Sequence, residues 1–160
     1  MSIPYHTPLS ADVQRSLGID PPAPFALADQ VRFSELDVLN HVNNAVYFQW
    51  FERVRVLYTQ HFGLSRNLGS GTGPRIVLRS GSIHYRQEML LHEDYVVTCA
   101  CTAYRTTSFT MAQELWSGGT LRATFECVLV LLQPDGSGRY PIPEAVVAHF
   151  KDQDGAVFEG

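Results

Sequence analysis

The chain has 160 residues, 45% of them hydrophobic and 18% charged, with a formal net charge of −4. That length fits one domain able to bury a real core, and the composition is that of a globular protein, which excludes a disordered or fibrous chain. The acidic balance excludes bulk electrostatic binding of nucleic acid, which needs a basic face.

Residues 1 to 24 end in Pro21-Pro22-Ala23-Pro24 and carry little periodicity. They are expected to form an extension that packs on the surface or stays mobile, with a short helix across Asp12 to Leu17. Residues 25 to 151 form the expected domain and residues 152 to 160 a tail. A first strand is predicted from Phe25 to Phe33, closed by the polar stretch Ser34-Glu35-Leu36-Asp37.

The strongest helix signal runs from Asn44 to Phe62. There Val46, Tyr47, Trp50, Phe51, Val54, Leu57 and Tyr58 recur at spacings of three and four. So wide an apolar arc predicts a helix largely enclosed by other structure. Asn43 is the expected N-cap, its side-chain oxygen accepting from the first-turn amides, and Gly63 is placed to end the helix.

A glycine-rich linker, Gly69 to Pro74, is followed by four strand-like runs: Arg75 to Glu88, Asp94 to Thr106, Ser108 to Trp116 and Thr120 to Gln133. Ser117-Gly118-Gly119 reads as a hairpin turn, Asp135-Gly136-Ser137-Gly138 closes the last long strand, and a terminal helix is predicted from Pro143 to Phe150. Strand, long apolar helix and then four mostly antiparallel strands make an α+β class with a curved sheet around a central helix.

Three cysteines, Cys99, Cys101 and Cys127, lie in apolar runs. Their odd number argues against a disulfide framework, and Cys-x-Cys lacks the second ligand pair of a zinc site, so no metal is expected. No segment begins with a basic stretch followed by an apolar core, and no run approaches the ~20 residues of a membrane span. The expected location is cytoplasmic. Lys151 is the only lysine among 12 basic residues; the arginine bias fits either genome composition or phosphate recognition by guanidinium groups.

The most informative stretch is Val31 to Arg55. A carboxylate, Asp37, precedes the turn His41-Val42-Asn43-Asn44, which leads directly into the enclosed helix. This order sets an acid beside the free amides of a helix start, combining a general base with an anion hole. Attack of water on a thioester carbonyl needs both, because charge develops on the carbonyl oxygen as the water loses its proton. An isolated aspartate before a helix is more often only a cap. His41 is either a second acid/base group or a residue that holds the turn. Asn43 and Asn44 read equally as turn formers and as substrate binders, and Tyr47 as core or as lining of the acyl pocket.

The pattern F-x-x-x-D-x-x-x-H-V-N-N-A-V-Y-F-x-W-F-E, from Phe33 to Glu52, resembles the signature of the 4-hydroxybenzoyl-CoA thioesterase-like branch of the hotdog superfamily. The resemblance implies a hotdog fold that hydrolyses acyl-CoA without a cofactor, assembled as a homodimer or a tetramer of dimers. Asp37 would then be nucleophile or general base, and the Asn44 amide, with help from Ala45, would hold the carbonyl oxygen. Relatives carry glycine where this chain has Asn40, a residue that tolerates the left-handed conformation. Relatives also carry a basic cluster where this chain reads Arg105-Thr106-Thr107-Ser108, so contacts to the CoA phosphates would fall to Arg105, Thr106, Thr107 and Arg86. Glu52, on the polar side of the helix, is expected in a salt bridge or an interface. The competing readings are an acyl-carrier-protein thioesterase, a hotdog hydratase or dehydratase, and a non-catalytic acyl-CoA-binding dimer.

Overall fold

The computed structural model describes residues 2–64 and 73–160; the predicted linker residues 69–72 lie outside the described residues. In chain order the elements are α1 (Ala11–Ser16), β1 (Phe25–Gln30), a 3-10 turn (Phe33–Glu35), α2 (Asn44–His61), β2 (Arg75–Tyr85), β3 (Asp94–Tyr104), β4 (Ser108–Ser117), β5 (Thr120–Leu132), α3 (Glu144–Asp152) and β6 (Val157–Phe158). The strands order as β1-β3-β4-β5-β2, with β6 added to β3. β1 pairs antiparallel with β3 in the register Phe25↔Cys99 to Gln30↔Asp94. The two-residue Gly118-Gly119 connection returns β4 into β5, and positive φ at both glycines, 57° and 73°, matches the twist that hairpin strands require.

The backbone separates into two compact units, one of Met1–Arg55, Ile83–Cys99 and Gln113–Phe125, the other of Val56–Ser82, Ala100–Ala112 and Glu126–Gly160. In the first, the opening half of α2 buries Tyr47, Trp50, Phe51 and Val54. Trp50 stacks on Tyr95 of β3 at 4.2 Å, and Phe51 on Phe125 of β5 at 5.4 Å. Truncating such an aromatic to alanine costs about 3–5 kcal/mol. Arg55 is also buried here; it donates to Gln113 at 3.2 Å, and its guanidinium lies 5.6 Å from the Phe125 ring centre.

The N-terminal extension is part of this unit. Leu9 and Ile19 join Ala26, Ala28 and Val96 in an apolar cluster. The buried Gln14 side chain donates to the carbonyls of Leu9 and Ala23 and accepts from the Ala23 amide. Those contacts fasten α1 to the segment that precedes β1. The first strand ends at Gln30 rather than Phe33, because Glu35 accepts from the Arg32 amide and winds residues 33–35 into the 3-10 turn.

In the second unit, Phe109 and Phe150 pack at 5.1 Å, and Phe62 meets Phe150 at 5.2 Å. A polar knot joins this core. Asp154, whose side chain is fully buried, accepts from the Tyr58 hydroxyl and from the Cys101 amide at 2.8 Å, with His149 at 3.7 Å. Burial raises the pKa of Asp154 above its ordinary value. The three cysteines are buried. A feature the sequence did not announce is β6, pairing parallel to β3 through Ala103↔Val157 and Tyr104↔Phe158; two residues carry too little pattern to be read as a strand.

α2 is less enclosed than its apolar arc predicted. Phe48, Val56 and Leu57 keep 45%, 40% and 38% of their surface exposed, because the described chain covers only the side that carries Trp50, Val54 and Tyr58. β2 stands at one end of the strand order and is mostly exposed, Leu78 by 50%.

Candidate active site

A short closed turn carries the candidate carboxylate. Leu36 and Val42 form an antiparallel bridge, the Asp37 amide donates to the His41 carbonyl at 2.9 Å, and the Asn40 amide donates to the Asp37 carbonyl at 3.1 Å. Asn40 sits at φ 60°, the left-handed conformation that glycine would adopt freely and asparagine tolerates. One Asp37 oxygen accepts from the Leu39 amide at 2.8 Å, so half of the carboxylate does the work of a turn former. The other oxygen lies 3.4 Å from Nε2 of His41, with about a quarter of the Asp37 side chain exposed.

The turn feeds straight into the helix. The Asn43 amide donates to the Glu35 carbonyl at 2.9 Å, and the Asn43 side-chain oxygen accepts from the Ala45 amide at 2.9 Å, the expected N-cap contact. The Val46 amide returns to the Asn43 carbonyl at 2.9 Å. These bonds remove Ala45 as a second donor to a ligand, because its N–H already has a protein acceptor. Among the described residues, none accepts from the Asn44 amide. At the first turn of α2 that N–H adds to the positive end of the helix dipole.

Around this turn stand residues that local sequence spacing did not reveal. Glu88 reaches Nδ1 of His41 at 2.9 Å, and this hydrogen bond, ahead of the charge of Asp37, raises the pKa of His41 above its ordinary value. Glu35 accepts from the Trp50 indole at 2.9 Å, tying the turn to the body of α2. The Tyr85 hydroxyl donates to the Asn44 carbonyl at 2.9 Å, and its ring meets Tyr47 edge-on at 5.0 Å. Tyr47 is buried, and burial pushes its pKa up to about 12. Arg122 donates to the Glu88 carbonyl at 2.6 Å and to Glu93 at 2.8 Å, while its own carbonyl accepts from the amides of Arg86 and Gln87. The only signal available for Glu35 was its spacing from Arg32; Glu88 is 47 residues from His41, beyond any local pattern.

The other predicted residues are placed as follows. Arg86 is exposed just past the end of β2, in the first unit with Asp37 and His41. Arg105, Thr106 and Thr107 belong to the second unit. Arg105 and Thr106 line a cavity of about 490 Å³ that also receives Tyr104, Ile142, Lys151 and Phe158. Arg105 lies 3.9 Å from Glu159, and the Thr106 and Thr107 carbonyls accept from Ile142 and Leu131. Glu52 is exposed, and among the described residues it forms no ion pair. Among the described residues no cluster of three or more His, Cys, Asp and Glu is gathered as a metal site, and no helix is long and apolar enough to cross a membrane.

Residues 31–150 match the family model of the thioesterase-like superfamily. A thioesterase superfamily structure from Jannaschia sp. CCS1 is similar over 97% of this chain and 98% of its own, with 44% identity and a TM-score of 0.91. A Thermus thermophilus thioesterase, complexed with coenzyme A and Zn, shares 28% identity over 83% of this chain and 96% of its own at a TM-score of 0.71. A 1,4-dihydroxy-2-naphthoyl-CoA thioesterase from Synechocystis, 17% identical over 81% of this chain and 97% of its own, is alike in fold at a TM-score of 0.71. No curated protein matches the chain. The α+β arrangement is the hotdog fold that the Phe33 to Glu52 pattern implied.

Proposed function

Because this chain belongs to the thioesterase-like superfamily and is a thioester hydrolase, we propose that it cleaves an acyl-CoA to a free acid and CoA, with Asp37 as general base or nucleophile and the Asn44 amide as donor to the carbonyl oxygen. The observation that carries this reading is the segment 36–44, in which the turn bearing the Asp37 carboxylate runs directly into a helix-start amide that has no acceptor among the described residues. As general base, Asp37 takes a proton from water while the C–O bond forms and charge moves onto the carbonyl oxygen. Collapse of the adduct breaks the C–S bond, and the thiolate leaves as a thiol with that proton. A positioned base contributes on the order of 100-fold to 10,000-fold, and one oxyanion donor about 3 kcal/mol of barrier.

His41 and Asn43 hold the turn, and Tyr47 lies under the site and borders the acyl group. Arg86, Arg105, Thr106 and Thr107 are the proposed phosphate contacts, with planar guanidinium groups suited to them. The coenzyme A complex of the Thermus thermophilus relative supports CoA as the carrier over acyl carrier protein. A homo-oligomer is part of the proposal: a second copy would cover Phe48, Val56 and Leu57 of α2 and the open β2 strand. The protein is proposed to act in the cytoplasm.

The test is thiol release from a panel of aliphatic and aryl acyl-CoAs, with an enoyl-CoA included to follow loss of its conjugated double bond. Release of CoA with the double bond intact supports the reading. Loss of the double bond without thiol release, or saturable acyl-CoA binding without turnover, overturns it.

A further inference from the structure

At neutral pH, thioester hydrolysis yields a carboxylate, a thiol and one surplus proton. In the mechanism above, the first proton that Asp37 accepts leaves on the thiol. The second is on the nascent carboxylic acid; where Asp37, the nearest base, takes it up, that proton has to pass from Asp37 to solvent before Asp37 can act as a base again. The Leu39 amide occupies one Asp37 oxygen, so the second oxygen and its neighbour decide the route.

That neighbour is His41, and its two ring nitrogens face two different carboxylates. Nε2 lies 3.4 Å from Asp37, and Nδ1 lies 2.9 Å from Glu88. Asp37 and His41 are about equally exposed, at 27% and 30%, and Glu88 is the most open to solvent, at 60%. An imidazole that gains a proton at one nitrogen and releases another from the opposite nitrogen moves a proton across its ring without moving itself. Glu88 is also held at a fixed place. Its carbonyl accepts from the buried Arg122 at 2.6 Å, and the next residue, Met89, accepts from the Val42 amide at 2.9 Å, beside His41. Arg122 is the charged group seated against this segment; its Nη2 is committed to Glu93. Among the described residues, the charged groups that face the His41 ring are Asp37 and Glu88.

We propose that Asp37, His41 and Glu88 form a proton exit path, in which His41 accepts the surplus proton from Asp37 at Nε2 and passes one from Nδ1 through Glu88 to water. This assignment rests on the thioesterase reading and adds Glu88 to it as a positioning residue that acts through His41. No bond to the substrate changes in the relay. One proton enters at Asp37, one leaves at Glu88, and each group returns to its starting charge; His41 ends as the Nε2–H tautomer and regains the Nδ1–H form by exchange with water, to which its side chain is 30% exposed. The 3.4 Å contact with Asp37 is longer than the 2.9 Å hydrogen bond with Glu88.

The experiment compares wild type with Glu88→Gln and Glu88→Asp, measuring thiol release at saturating acyl-CoA over a range of buffer concentrations. In dilute buffer Glu88→Gln is expected to lower kcat on the order of tenfold, less than the loss from removing a group that meets the reacting atoms. KM should stay unchanged, turnover should recover as imidazole buffer is added, and Glu88→Asp should retain most of it. An equal loss at all buffer concentrations, or a change confined to KM, overturns the relay. A second readout needs no turnover: NMR titration of the His41 ring should give a pKa above 6.5 in wild type and a lower one in Glu88→Gln. An unmoved pKa overturns the relay alone, whereas a wild type that releases no thiol from any acyl-CoA overturns the thioesterase reading with it.

Discussion

The side-chain oxygen of Asn43 accepts the Ala45 amide at 2.9 Å, and this bond determines which first-turn N–H of α2 is left for a ligand. A residue that looks like a substrate contact in sequence is a cap in the folded chain. Asn43→Ala should cost about 1 kcal/mol of stability, the usual value of such a cap, while Asn43→Ser should recover most of it. Urea unfolding midpoints measure the difference; an unchanged midpoint for Asn43→Ala would mean that the cap carries no weight.

Asp37→Asn keeps the shape of the turn, since an amide oxygen can still accept from the Leu39 amide. It removes the base. Thiol release should fall about 100-fold or more, with circular dichroism and sedimentation unchanged. Wild-type turnover in this variant would reject Asp37 as the catalytic carboxylate.

The pH dependence of stability follows from His41. Its folded-state pKa is raised, chiefly by the hydrogen bond to Glu88, so the folded chain binds the proton more tightly than the unfolded chain does. The contribution is fully present below the unfolded value of about 6.5 and is lost as pH rises through the folded-state value. The stability difference between wild type and His41→Gln should therefore be largest near about pH 5.5 and shrink toward about pH 9. A difference that grows with pH would contradict the assigned contacts.

Asp154 offers a test away from the candidate site. Asp154→Ala removes the buried acceptor of the Cys101 amide and one partner of the Tyr58 hydroxyl, which also meets Nε2 of His149 at 3.1 Å. The expected loss is about 3 kcal/mol, read from chemical denaturation. Asp154→Asn, which keeps an acceptor oxygen, should lose less.

The exposed apolar groups of α2 and β2 predict self-association. Wild type should sediment as a dimer or larger, and Leu78→Lys, which sets a charge on a strand half of whose leucine surface is open, should shift it toward monomer. A monomeric wild type at micromolar concentration would remove the oligomer from the proposal.

The sequence by itself determined the elements whose signals are local. The three-and-four spacing from Val46 to Tyr58 marked α2 to within a residue of its end at His61. The alternation from Leu121 to Leu131 marked β5, and Gly118-Gly119 marked the hairpin, because backbone sterics and side-chain period act over a few residues. The turn from Asp37 to Asn44 was legible from its residue types, and the left-handed Asn40 from the resemblance, which sets it where relatives carry glycine. What only the tertiary structure decided involves partners far apart in the chain. Glu88 meets His41, Arg122 fastens Glu88, Tyr85 reaches Asn44, and Asp154 draws Tyr58 and Cys101 together. Such contacts depend on which strands become neighbours and in what register, and burial then sets the charge state of the groups they enclose.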